Sequence, residues 1–258
     1  METQNLISIT GIPPTPHLVN ASTMAEPEVL TVAVCIFDKV TALDYQGPME
    51  LFGFFQKDFL RNPPEVYPTK VKYAIEPTYF GTSTSIKPFA GPTLSIDAKN
   101  VYTTFLDSGD ARQFDMIFVP GGAGTRAIKQ DDAIIKFIEK QSTKARYILS
   151  VCTGAWLLAL GGIFFGKKAT ANKSAWAGNP DVPNVDWVRK ARWVVNDKGS
   201  AKEIWASSGV TAGMDMANAF LAHLVGRPNS ELARHVIEYN AQTDPDIDPF
   251  AEYWGLLD

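Results

Sequence analysis

Short apolar runs rich in branched residues recur along the chain at 29–37, 71–75, 114–120 and 147–151. Between them, 41–52, 131–139 and 155–160 carry apolar residues at helical spacing, with Pro48 tolerated in a first turn and acids opening the second of these segments. Strands alternating with helices predict a parallel sheet covered on both faces. Further on, 168–171 starts another strand, and 192–195 and 203–207, joined through Asn196-Asp197-Lys198-Gly199, predict a hairpin. A helix follows from 208 through Leu224, and a last one spans 230–239. The polar, Gly/Pro-punctuated stretch 78–100 reads as short strands and turns.

The first 27 residues hold four prolines and little periodicity, so they are expected to form an irregular extension ahead of a single α/β domain over 28–258. At 258 residues and 45% hydrophobic, the chain is long enough to bury one large core. A net charge of −4, with Lys and Arg scattered, gives no footprint for nucleic acid or an anionic membrane. No apolar stretch approaches the roughly 18 residues of a membrane span, and no basic-then-apolar leader opens the chain. Two cysteines, Cys35 and Cys152, make neither a disulfide framework nor a metal site, which points to a reducing, cytoplasmic setting.

Candidate chemistry concentrates at Ser150-Val151-Cys152-Thr153-Gly154, where a strand feeds a helix. That turn lifts the Cys152 thiol to a helix N-terminus, where free N–H groups and the macrodipole favour thiolate and suit a nucleophile. Asp44, just beyond strand one, would sit on the sheet rim where ligands bind, or would serve as a helix cap. Gly121 and Gly122, ending the 114–120 strand, would aim backbone N–H groups at an oxyanion. They lack the spacing of a dinucleotide site or a P-loop. Cys35, inside strand one, reads as a core residue, and Glu50 as structural. His17 reads as a solvated loop residue, and His223 and His235 as ordinary structural histidines. Tyr45, Trp156, Trp176 and Trp187 could wall an apolar pocket or simply fill the core.

Several stretches together resemble the ThiJ/PfpI superfamily: 43–48, 114–122, 150–155 and 208–215. The resemblance covers about 29–250 in the expected order. It implies a flavodoxin-like three-layer α/β/α sandwich with a mostly parallel central sheet and a nucleophile-elbow cysteine. An Asp followed by Gly-Pro after strand one, with Ile237-Glu238-Tyr239 and Asp248-Pro249-Phe250, is similar to isonitrile hydratases. These convert an isocyanide and water into an N-substituted formamide without an organic cofactor. By that resemblance Cys152 is the nucleophile, Asp44 its acid/base partner and Thr153 a neighbour of the thiol. The substrate is a small molecule, no metal takes part, and a homodimer is the default assembly. The C-terminal helix-turn-helix domain of the superfamily's regulators is not expected after the last helix.

One departure stands out. Relatives commonly read Ala-Thr-Thr-His-Trp after the nucleophile helix, whereas here Ala169-Thr170-Ala171-Asn172-Lys173-Ser174-Ala175-Trp176 is longer and has no histidine. Asn172 and Trp176 then become pocket candidates. The change disfavours any Cys-His mechanism, a protease included. A glyoxalase or deglycase acting on small dicarbonyls would use the same cysteine but usually a Glu and a His, so it fits less well. A non-enzymatic sensor, oxidised at Cys152 to a sulfinic acid, needs only the elbow and an acidic neighbour.

Overall fold

The computed structural model describes residues 26–61 and 67–257. The N-terminal stretch up to residue 25, with His17 in it, lies outside them. The first half runs β1 (Glu28–Cys35), α1 (Ala42–Gly53), α2 (Lys57–Arg61), β2 (Tyr73–Phe80), β3 (Ser85–Ile86), β4 (Leu94–Ser95), α3 (Tyr102–Asp107), β5 (Met116–Val119) and α4 (Ala133–Ser142). The second runs β6 (Tyr147–Val151), α5 (Gly154–Leu160), β7 (Lys167–Ala169), β8 (Val185–Trp187), β9 (Trp193–Asn196), β10 (Glu203–Ser207), α6 (Val210–Val225), α7 (Arg227–Val236) and α8 (Pro249–Tyr253).

Six strands form the central sheet in the order β2-β1-β5-β6-β10-β9, all parallel except β9, which pairs antiparallel with β10. The apolar runs of β5 and β6 occupy the middle, where both faces are covered. Helix α1 packs against α6, and α6 against α7, while α3, α4 and α5 form a second group. On one face Phe118 of β5 meets Phe52 of α1, ring centres 6.4 Å apart, and Phe220 of α6 closes over Phe52 at 6.0 Å. Elsewhere in the core Phe80 of β2 meets Phe137 of α4 at 4.5 Å, with Phe105 of α3 at 5.2 Å from both. All of these rings are buried, each burial contributing about 1.5–3 kcal/mol, so the aromatics bind the layers together. The chain has the flavodoxin-like α/β architecture.

Several elements differ from the sequence reading: the helix expected over 230–239 spans Arg227–Val236, and two strands also depart. Strand β2 runs on through Pro77 to Phe80, because as an edge strand paired only with β1 it loses no ladder bond to the missing N–H. Strand β7 forms but does not join the central sheet; it pairs with β8 in a separate two-stranded ribbon. The 192–207 hairpin forms as expected, its turn carrying Asp197 and Gly199 at positive φ. Among the described residues no helix is long and apolar enough to cross a membrane.

Candidate active site

The carboxyl ends of β1, β5, β6 and β10 converge on Cys152, the crevice in which open α/β sheets place their sites. Cys152 directly follows β6 and sits at φ +60°, a left-handed conformation that costs a non-glycine residue about 1–3 kcal/mol. The β10 end holds it there, since its N–H donates to Ser208 O (2.8 Å) and Ser207 O (3.2 Å). The turn that begins α5 is thus clamped to a neighbouring strand.

Asp44 lies in the first turn of α1 and is fully buried. It does not cap that helix. Instead Oδ2 accepts the Gly121 N–H over 3.0 Å, while Oδ1 has no partner of regular hydrogen-bond geometry. The Cys152 thiol lies within hydrogen-bonding reach of the same carboxyl. Burial pushes Asp44 up to about 7, against the opposing pull of the Gly121 N–H and the thiol.

The thiol does not behave as its helical position alone suggests. Burial and then the adjacent Asp44 charge raise it well above the ordinary thiol range, and the Thr153 N–H and Asn172 amide only partly offset them. Helix α5 is seven residues long, and Cys152 is 6% exposed, so the helix-terminal field is too small to win. The expectation of an acidic, open thiolate is corrected to a covered thiol sharing protons with a carboxyl. The two groups titrate as a pair.

The glycine loop also takes a different role. Gly121 N–H is held by Asp44, and Gly122 N–H donates to Thr153 Oγ1 over 3.0 Å, so neither lies free for an oxyanion as expected. The Thr125 hydroxyl donates to Gly122 O (2.8 Å) and lies 3.0 Å from Thr153 Oγ1, completing the lock. Glycine is required by close approach: a Cβ at Gly121 would stand 2.5 Å from Thr153 N, and Gly122 has φ +142° with the 39–41 backbone against it. The loop therefore docks flush on the elbow. The Thr153 side chain braces this loop, and its N–H faces the sulfur.

Asn172 is brought to the thiol, its carboxamide interacting with the Cys152 sulfur while Oδ1 accepts from Ser174 Oγ (2.6 Å). Of the aromatic candidates, Trp156 is buried with Nε1 donating to Asn179 Oδ1 (2.8 Å), and Tyr45 is buried edge-on to Tyr79. Trp176 stacks edge-on with Trp187, ring centres 6.3 Å apart. Two recesses, one around Asp215, Ser230 and Arg234 and the other around Tyr79, Asp97 and Arg112, are lined by neither Cys152 nor Asp44. Cys35 is a fully buried core residue whose thiol burial pushes up to about 12. His223 pairs with Glu203 at 2.9 Å, and His235 is exposed beside Arg234. Among the described residues no His, Cys, Asp or Glu group is clustered to hold a metal ion.

A feature missed in the sequence lies behind Asn172. Lys173, Asp248, Arg192 and Asp215 form a buried charge network, with Arg192 Nε donating to Asp215 Oδ2 over 2.6 Å. Their positions, dispersed over some 75 residues of chain, carry no local signal.

The profile of the DJ-1/PfpI family matches residues 30–223. The chain belongs to the DJ-1/PfpI family. Within it, the isonitrile hydratase of Pseudomonas putida is 30% identical over 210 residues, 81% of this chain and 78% of that protein. The HTH-type transcriptional regulator GbdR of Pseudomonas aeruginosa is 29% identical over 156 residues, 57% of this chain but 39% of the regulator. Among solved structures, a ThiJ/PfpI family protein from Pseudomonas syringae superposes with a TM-score of 0.64 at 23% identity, over 92% of this chain and 85% of that one. Drosophila melanogaster DJ-1beta superposes at 0.60 with 16% identity, over 82% of this chain and 99% of its own. These structural likenesses bear on the fold.

Proposed function

We propose that the protein is a cysteine-dependent hydratase that adds water to an isonitrile, R–N≡C, and releases an N-substituted formamide. One observation carries the reading: a buried carboxyl with one oxygen anchored to Gly121 and the other unpartnered stands beside the elbow thiol. The likeness to the P. putida isonitrile hydratase over most of both chains supports it.

Near neutral pH the pair holds a thiol and a carboxyl that is partly protonated. Asp44, as the acid, delivers its proton to the terminal carbon of the isonitrile while sulfur bonds to that carbon; the carboxylate then takes the thiol proton. The product is a thioimidate, R–N=CH–S–Cys152, and Asp44 is again protonated. Water next adds to the same carbon, one of its protons passing to nitrogen. The tetrahedral R–NH–CH(OH)–S–Cys152 collapses, its C–S bond breaks, and the hydroxyl proton returns to sulfur. The Thr153 N–H, which faces the sulfur, stabilises negative charge there in both steps. A rod-like, uncharged isonitrile end suits a covered thiol whose nearest polar groups are a carboxyl, an N–H and an amide.

The test is formamide production from a simple alkyl isonitrile by the purified protein, with methylglyoxal in a parallel arm. The reading predicts formamide from the native chain and none from Cys152→Ala. Lactate from methylglyoxal without formamide would replace it with a dicarbonyl-directed activity.

A further inference from the structure

The loop that carries Asn172 is fastened by a lysine. Lys173 follows Asn172 at the start of a 3-10 turn, Lys173–Gly178, and its side chain is 1% exposed. Its Nζ donates to Ala191 O and to Thr170 Oγ1, each at 2.7 Å, and stands 3.6 Å from Asp248 Oδ2, which makes no hydrogen bond of its own. Asp248 caps α8 by accepting the Phe250 N–H through Oδ1 (3.1 Å). Arg192 stands on its far side, 3.8 Å from Oδ1, and turns its Nε to Asp215, which also accepts from the Tyr239 hydroxyl. The Trp176 ring lies 5.1 Å from the ammonium. Two distant segments, at Ala191 and Asp248, and the neighbouring Thr170 thus grip one side chain next to the residue that meets the thiol.

Burying an ammonium and a carboxylate costs several kcal/mol per ion before attraction and hydrogen bonds offset it. Such a pair is weak evidence for stability, and in some proteins it serves instead to fix one arrangement. What it fixes here is the backbone at 172–173. The Asn172 carboxamide is one of two groups that favour the thiolate against burial and Asp44.

We propose that Lys173 is a positioning residue: its anchorage to Thr170, Ala191 and Asp248 holds the Asn172 carboxamide against the Cys152 sulfur and so sets the reactivity of that thiol. The proposal deepens the reading of Cys152 as the nucleophile and rests on it. No isonitrile turnover is needed to test it.

The experiment is the rate of Cys152 alkylation by iodoacetamide at fixed pH, read on the peptide by mass spectrometry, with near-UV circular dichroism verifying the native fold. Loss of one hydrogen bond to a charged sulfur is expected to slow alkylation about tenfold in Asn172→Ala and similarly in Lys173→Met. Because Lys173 acts through Asn172, the double variant is expected to be no slower than Asn172→Ala. A natively folded Lys173→Met that alkylates at the wild-type rate or faster, or a double variant slowed by the product of the two, overturns the proposal. Should Lys173→Met fail to fold, Asp248→Asn, which keeps the helix cap, is expected to slow alkylation in the same sense; an unchanged rate there overturns it. A wild-type Cys152 that does not alkylate overturns this proposal and the nucleophile together, whereas a reactive but uncoupled thiol overturns this one alone.

Discussion

The Gly121 N–H holds one oxygen of Asp44 at 3.0 Å and leaves the other, equally buried, without a regular partner beside the Cys152 thiol. One oxygen fixes the carboxyl, and in the proposed reaction the other exchanges a proton. Asp44→Asn preserves the shape and the Gly121 bond but cannot relay that proton. Formamide formation by this variant is expected to fall by about 10²–10⁴-fold, and full turnover would remove Asp44 from the chemistry.

In the proposed reaction protonated Asp44 is the reactive form, and burial pushes its carboxyl up to about 7. The kcat/KM of the native protein for an isonitrile is therefore expected to fall as pH rises through about 7. A profile flat from pH 6 to 9, or one that rises, would be the opposite of this account.

The same carboxyl affects stability. Asp44 deprotonates near 3.8 when unfolded and about 7 when folded, so between these values the folded chain holds the extra proton and stability falls as pH rises. Above about 7 the loss is complete, on the order of 4 kcal/mol. Asp44→Asn escapes it. Its melting temperature is expected to exceed that of the native chain at pH 8, with the difference shrinking toward pH 5. A difference independent of pH would contradict the assignment.

Much of this was legible in the chain. The branched runs of β1, β5 and β6 are unambiguous because a strand buried on both faces must be apolar throughout. The elbow at Cys152 showed in a five-residue strand feeding good helix formers, and Asp44 in its place after strand one. The thiol's environment was not legible. Whether a helix terminus or burial governs a cysteine depends on what surrounds it, and here the groups that meet the thiol include Asp44, far along the chain, and Asn172, some 20 residues away. Gly121 and Gly122 do lie against the elbow, but their N–H groups, expected to face an oxyanion, are taken by Asp44 and Thr153 on other elements, which spacing could not reveal. The strand expected over 71–75 runs instead from Tyr73 through Pro77 to Phe80, because edge position is a property of the whole sheet.

Thr153 Oγ1 is the acceptor for the Gly122 N–H. Thr153→Val leaves that buried N–H unpaired and is expected to destabilise the fold by about 1–3 kcal/mol in denaturant titration, with a loss of formamide formation. Thr153→Ser restores the acceptor and should recover most of both. A valine variant matching the native protein would limit Thr153 to its backbone.

The Gly121 contact with the elbow makes a methyl group intolerable there. Gly121→Ala would place Cβ 2.5 Å from Thr153 N, so the loop or the elbow must shift. Cys152 alkylation and formamide formation are both expected to change by at least tenfold, and a variant indistinguishable from the native protein would show that the loop has slack.

The most direct measurement is the intact and peptide mass of the protein quenched in acid during incubation with an alkyl isonitrile. The account predicts a mass increase equal to the whole isonitrile on the peptide containing Cys152, absent from Cys152→Ala. Formamide released while Cys152 stays unmodified and its alanine variant stays active would contradict it.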